Sequence, residues 1–145
     1  MPLRRASLFI IKNMKKIIQS VKTNLLDTVI IIIVSVMYLL NNRYIKIATS
    51  GILHEFFVCY FNDLMAPMFM LAYSNILLDT VNRKFSKLIH IVMFCLVVGI
   101  VWEFVAPLVK KYAVFDSIDI LCYLVGGIIY WKVQNRKVII RNDKC

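Results

Sequence analysis

The sequence predicts an all-α polytopic membrane protein: a bundle of four transmembrane helices with an amphipathic amino-terminal helix at the membrane interface. Three observations predict it. Hydrophobic residues make up 61% of the 145 and the mean hydropathy is +0.75; they come in blocks, whereas soluble domains intersperse them with polar residues. Four blocks approach the roughly 20 apolar residues that a spanning helix needs: Thr28–Tyr44, Phe56–Leu78, Leu88–Val109 and Asp116–Trp131. With Gly 4 and Pro 3 there are few turn signals and no linker, so residues 1–145 are expected to form a single membrane domain.

The first block begins too late, is too long, and lacks the small-residue cleavage site of a secretory signal. It is expected to be the first helix of the mature protein. Ahead of it, about residues 8–25 read as a helix. Ile10, Ile11, Met14, Ile17, Ile18, Val21 and Leu25 fall on one side, and Lys12, Lys15, Lys16 and Lys22 crowd the other. That pattern fits a basic helix in the headgroup region held by anionic lipid; a plain orientation signal is the compatible alternative.

A net charge of +10 would point a soluble protein toward nucleic acid. Here no nucleic-acid partner is expected, because the charge reports orientation. The amino-terminal segment, the loop with Arg83, Lys84 and Lys87, and the tail from Lys132 hold 14 of the 18 basic residues. Arg43, Lys46, Lys110 and Lys111 belong to the other two loops. By the positive-inside rule both termini are cytoplasmic, in a bacterial inner membrane.

The acids divide differently. Asp27, Asp79 and Asp143 lie on the cytoplasmic side, and Glu55, Asp63, Glu103, Asp116 and Asp119 lie toward the outer side. At about 1.5 Å per residue, Asp63 is roughly 10 Å in from Phe56 and Glu103 roughly 9 Å in from Val109. Both belong to a recurring hexapeptide, NDLMAP (Asn62–Pro67) and WEFVAP (Trp102–Pro107), with the carboxylate four residues before a proline. Proline lacks an N–H and clashes with the carbonyl four residues earlier, so each motif frees a backbone acceptor beside a carboxyl. Such groups are tolerated at membrane depth only against protein or in a wet cavity. A carboxylate there costs about 2.5–3.5 kcal/mol on insertion scales and marks a functional site by default.

The expected ligand-binding lining is therefore Asp63, Glu103, Asp116 and Asp119 with Asn62, Trp102 and Tyr123, in an outer-leaflet acidic pocket. The bland alternative has the same groups bonding across helices at about 0.6–2 kcal/mol per contact. No titratable chain is expected to continue inward past Asn75. Tyr44, Tyr112, Tyr130 and Trp131 suit aromatic belts, and His54, Glu55 and His90 suit interfacial solvation. Gly126 and Gly127 would let the fourth helix approach a neighbour closely. Cys59, Cys95 and Cys122 read as small apolar packing residues.

Glu103, Pro107, Asp116, Asp119 and Gly126, within WEFVAPLVKKYAVFDSIDILCYLVGG, resemble the VanZ-like family of small bacterial membrane proteins. That family's pattern is a late glutamate, a proline and basic loop, then two aspartates three apart leading into a helix with asparagine and glycine. The chain departs from it at Ala106 for glutamine, Ala113 for arginine and Tyr123 for asparagine. The resemblance covers the last third of the chain and implies an association with glycopeptide resistance.

Three functions follow as expectations. The first is a non-enzymatic envelope protein that binds a lipid headgroup, a cell-wall precursor or an amphiphilic antibiotic. The second is a channel or transporter subunit, or a membrane effector or immunity protein; conduction would need oligomers, and a homo-oligomer is compatible with the chain. The third is an intramembrane enzyme, for which no HExxH, GxSxG or Walker motif speaks. No catalytic residue, metal or cofactor is assigned. Membrane lipids are the expected partners.

Overall fold

Once an apolar helix starts, only a residue that cannot continue it, or a run of charge, ends it. Between the first two apolar blocks the one such residue is Gly51, whose φ of 66° is left-handed. The computed structural model describes residues 14, 16–109 and 117–142, with side chains at 14, 16–105 and 117–135. All regular structure among them is helical. Helix α1 (Leu25–Ala48) and helix α2 (Ile52–Asp79) meet at the turn 49–51, α3 is Leu88–Val109 and α4 is Ser117–Asn142. The first two are longer than their apolar blocks because nothing stops them before Thr49 and Gly51. Helix α3 has the expected bounds. Helix α4 runs eleven residues past Trp131, since Lys132 to Asn142 contains neither glycine nor proline.

Helices α1, α2 and α3 are long and apolar enough to cross a membrane, and only 22% of each apolar window is buried inside the protein. Ile32, Ile33, Val36, Met93, Ile100 and Phe104 all point outward. Monomeric soluble proteins rarely expose contiguous apolar faces of that extent, which is what helices in contact with lipid require. Helix α4 is not among these three. Its apolar part is short, and its second half carries Lys132, Arg136, Lys137 and Arg141.

The inner faces follow helical periodicity. In α3 the buried residues are Ile91, Cys95, Gly99 and Glu103, one every four residues. In α4 they are Tyr123, Gly126, Gly127 and Tyr130, and in α1 Asp27, Ile30, Val34 and Asn41. Helix α4 packs against α2 and α3, and α1 packs against α2. The α2–α4 contact centres on Gly126, where an added Cβ would lie 2.7 Å from Pro67 Cγ and still nearer the Leu64 carbonyl oxygen. At Gly127 it would meet Cys95 Sγ of α3 at 2.5 Å. Pro67 is buried and α2 continues through it; its ring serves as the surface on which Gly126 rests.

Two stretches, Asn41–Ile45 in α1 and Phe56–Tyr60 in α2, are π-helical. They flank the 49–51 turn and are linked: Asn41 Nδ2 donates to the Phe57 carbonyl (2.9 Å) and to Asn62 Oδ1 (3.1 Å). Asn41 is fully buried and its Oδ1 has no hydrogen-bond partner. Single π turns often stand at functional sites.

Residues 16–23 are helical, and the chain breaks direction at Asn24. The segment docks by polar groups. Asp79 at the end of α2 accepts from Ser20 Oγ (2.9 Å), Asn24 Nδ2 (2.8 Å) and Thr23 Oγ1 (3.2 Å) and pairs with Lys84 (3.3 Å). Met14, Lys16, Ile17, Ile18 and Lys22 stay exposed, whereas Ile10, Ile11, Lys12 and Lys15 of the expected amphipathic helix lie outside the described residues. An exposed ion pair contributes about 0–1 kcal/mol, while Asp79 also joins three side-chain donors. Asp79→Ala is therefore expected to speed amide exchange across 17–24 by about tenfold, and Lys84→Ala to change it little. Equal exchange in both variants would show that the segment is held by other contacts.

Candidate functional site

Helix α1 packs on α2 and helix α3 on α4, and the two do not pack closely on each other. The cleft left between them is a cavity of about 890 Å³, inside the roughly 300–1,000 Å³ of typical ligand sites. Its walls are Val34, Ser35, Tyr38, Leu39 and Lys46 of α1, and Val97, Val98, Val101 and Trp102 of α3. Helix α2 supplies Cys59, Asn62, Asp63, Met65, Phe69 and Met70, and α4 supplies Tyr123. These positions run from the last turn of α1, beside the 49–51 turn, to about the middle of the bundle.

Of the expected lining, Asn62, Asp63, Trp102 and Tyr123 stand on this one cavity. Glu103 and Asp119 do not; Glu103 is 8% exposed and ends the buried stripe of α3. Asp63, Asp119 and Glu103 are all within electrostatic range of the Tyr123 hydroxyl, so three helices bring their acids to one tyrosine, each acid with further interactions of its own. Gly99 opens the way, since the Tyr123 ring packs 3.7 Å from where its Cβ would be. Asp116, Tyr112 and Pro107 lie outside the described residues or side chains. Because α2 begins at Ile52 and not Phe56, Asp63 is about 16 Å from the helix end, deeper than expected.

Two expectations are overturned. Tyr130, assigned to an interfacial belt, is 0% exposed in the core. It donates to Asp27 Oδ1 (2.6 Å) and accepts from Asn75 Nδ2 (2.6 Å) and Gln134 Nε2 (3.0 Å). Gln134 Nε2 also donates to Asp27, and Asn75 Oδ1 accepts the Phe85 N–H at 2.7 Å. The polar chain therefore does continue past Asn75, to an aspartate that is 3% exposed. The sequence places Asp27 only on the cytoplasmic side, because the apolar block begins one residue later. The overlooked signal was the spacing Ser20, Asn24, Asp27, a helical polar face running into Ile30 and Val34. Buried polar groups must be bonded, and these are.

The second overlooked residue is Lys46, read from sequence as a loop charge. It is half-buried in the last turn of α1, on the cavity wall. Of the cysteines, Cys95 is buried as expected and Cys122 half-buried, but Cys59 is exposed on the cavity.

Asp63, Asn62 and the Tyr123 phenol offer hydrogen bonds at one end of an apolar trough, and among the described residues no cluster of histidine, cysteine or carboxylate suits a metal ion. Comparison with family models, with curated proteins and with solved structures returns no match to this chain.

Proposed function

We propose that the chain is a non-enzymatic integral protein of the bacterial cytoplasmic membrane that holds an amphiphile in the α1–α3 cavity. The ligand is a lipid headgroup, a cell-wall precursor or an amphiphilic antibiotic. In this reading α4 is a fourth span, both termini are cytoplasmic, the cavity opens in the outer leaflet, and the basic amino-terminal helix rests on anionic lipid. The distribution of Lys and Arg supports that orientation. The resemblance of Glu103, Asp119 and Gly126 to the VanZ-like pattern supports a role in glycopeptide resistance.

One observation carries the reading. A single cavity joins apolar walls from three lipid-facing helices to Asn62, Asp63 and Tyr123 at one end, the division of surface that an amphiphile has. Cys59 on that wall provides the test. In a variant retaining only this cysteine, a bound lipid, cell-wall precursor lipid or lipoglycopeptide is expected to slow maleimide labelling at least fivefold. Asp63→Asn and Trp102→Ala should each weaken that protection about tenfold. Labelling unchanged by every amphiphile in the panel would sink the reading.

A transporter subunit is the second reading, favoured by the Asp27–Tyr130–Asn75 tier. On α4, Tyr123 and Tyr130 are seven residues apart, about 10 Å, and Gly126 between them is closed against Leu64 and Pro67. A path would have to open that contact. Proton flux into liposomes that vanishes with Asp27→Asn would put this reading first.

A further inference from the structure

The order of groups along the cavity identifies the class of amphiphile. Lys46 sits two residues from the end of α1, half-buried, and among the described residues it makes no ion pair or hydrogen bond through its ammonium. A charge on a partly apolar wall is costly unless paired, so this position asks for an anion. Five residues earlier on the same helix, about 7.5 Å deeper, Asn41 is bonded to Asn62. The level of Asn62 and Asp63 is therefore below that of Lys46. Below them again, Met65, Phe69 and Met70 continue the wall toward the middle of the bundle. From the turn inward the sequence is a cation, then hydrogen-bond acceptors, then an apolar trough.

Resting on the reading above, we infer that the cavity takes a single-chain glycerophospholipid with its middle glycerol hydroxyl free, a lysophospholipid. The phosphate meets Lys46, the hydroxyl donates to Asp63, and the acyl chain lies between α1 and α3. With the Asp63 carboxyl as acceptor, an ester at the same glycerol carbon presents carbonyl oxygen where a donor is needed. A diacyl phospholipid is thereby disfavoured by chemistry. The cation at the mouth also explains how a pocket lined by Asp63 admits an anionic group.

The test uses the full chain in dioleoylphosphatidylcholine nanodiscs, with Cys59 labelling as readout. Three probes separate the two contacts: palmitoyl-lysophosphatidylcholine, the same lipid with its hydroxyl acetylated, and monopalmitoylglycerol, which lacks phosphate. The first is expected to bind about tenfold more tightly than either of the others. Lys46→Gln should erase its advantage over monopalmitoylglycerol and keep its advantage over the acetylated lipid; Asp63→Ala should do the reverse. Unaltered binding of monopalmitoylglycerol by Lys46→Gln shows that variant to be folded. Equal affinity for all three probes, or a ranking indifferent to both substitutions, overturns the lysophospholipid assignment and leaves an unselective amphiphile site. No protection by these probes or by any other amphiphile overturns that site as well.

Discussion

Gly126→Ala is expected to prevent the bundle from closing. The new methyl group would overlap the carbonyl oxygen of Leu64, and Pro67 Cγ stands 2.7 Å away on the same helix turn. Neither atom is the free end of a flexible side chain; both belong to the backbone or ring of α2. Overpacking a core costs about 1–3 kcal/mol when side chains can shift, and here the helices themselves must separate. A loss of about 3 kcal/mol or more is expected, read as a lowered unfolding midpoint in detergent and a smaller monodisperse fraction. Gly99→Ala is the control: its methyl would find only ordinary contacts at 3.7–3.8 Å, and alanine is the better helix former by about 1 kcal/mol. Gly127→Ala lies between them. Its obstacle is Cys95 Sγ, so Cys95→Ala should restore part of the loss, with a coupling of about 1–2 kcal/mol. Should Gly126→Ala melt with Gly99→Ala, α2 and α4 do not approach as described.

The second large effect is expected at Asp27. Leucine there would leave the Tyr130 hydroxyl and the Gln134 amide without the acceptor they share. Each orphaned buried donor costs about 1–3 kcal/mol. Hydrogen bonds between membrane helices average nearer 0.6 kcal/mol, because the unfolded helices find other partners in the bilayer. The complete burial of Tyr130 leaves little room for substitutes, so Asp27→Leu is placed at about 3 kcal/mol and Tyr130→Phe at about 1–2 kcal/mol. Because the two groups touch, Asp27→Asn combined with Tyr130→Phe should depart from additivity by at least about 0.5 kcal/mol. Reversible unfolding in mixed micelles would measure the cycle. Additive losses would mean that α1 and α4 are not joined through this pair.

Much of the architecture can be read from hydrophobic blocks, because spanning helices are specified by length and apolarity more than by particular side chains. Helix α3 shows this, with both ends where the block ends. Helices α1 and α2 run further than their blocks because Asp27, Lys46, His54 and Glu55 interrupt apolarity without interrupting helix. The residues around Tyr123 were legible for a related reason: Asp63 and Glu103 are carboxylates inside apolar runs, and few arrangements tolerate them. Asp27 and Lys46 were not, since each lies where an apolar run meets polar sequence. A charge at such a boundary serves the headgroups equally well from outside or the interior from within. Only the rotation of the helix about its own axis separates the two, and for Asp27 the buried neighbours Ser20 and Asn24 carry that information.

The π stretch Asn41–Ile45 acts as a phase shifter. A π turn takes in one residue more than an α turn, so the stretch absorbs that residue and leaves Lys46 on the bearing of the cleft. Deleting Asn42 while the stretch returns to regular winding should therefore keep Lys46 where it is. Successive residues of an α-helix differ by about 100° around the axis, so the same one-residue deletion in the regular part of α1, at Ile33, would carry Lys46 off the cleft and leave a mouth without its charge.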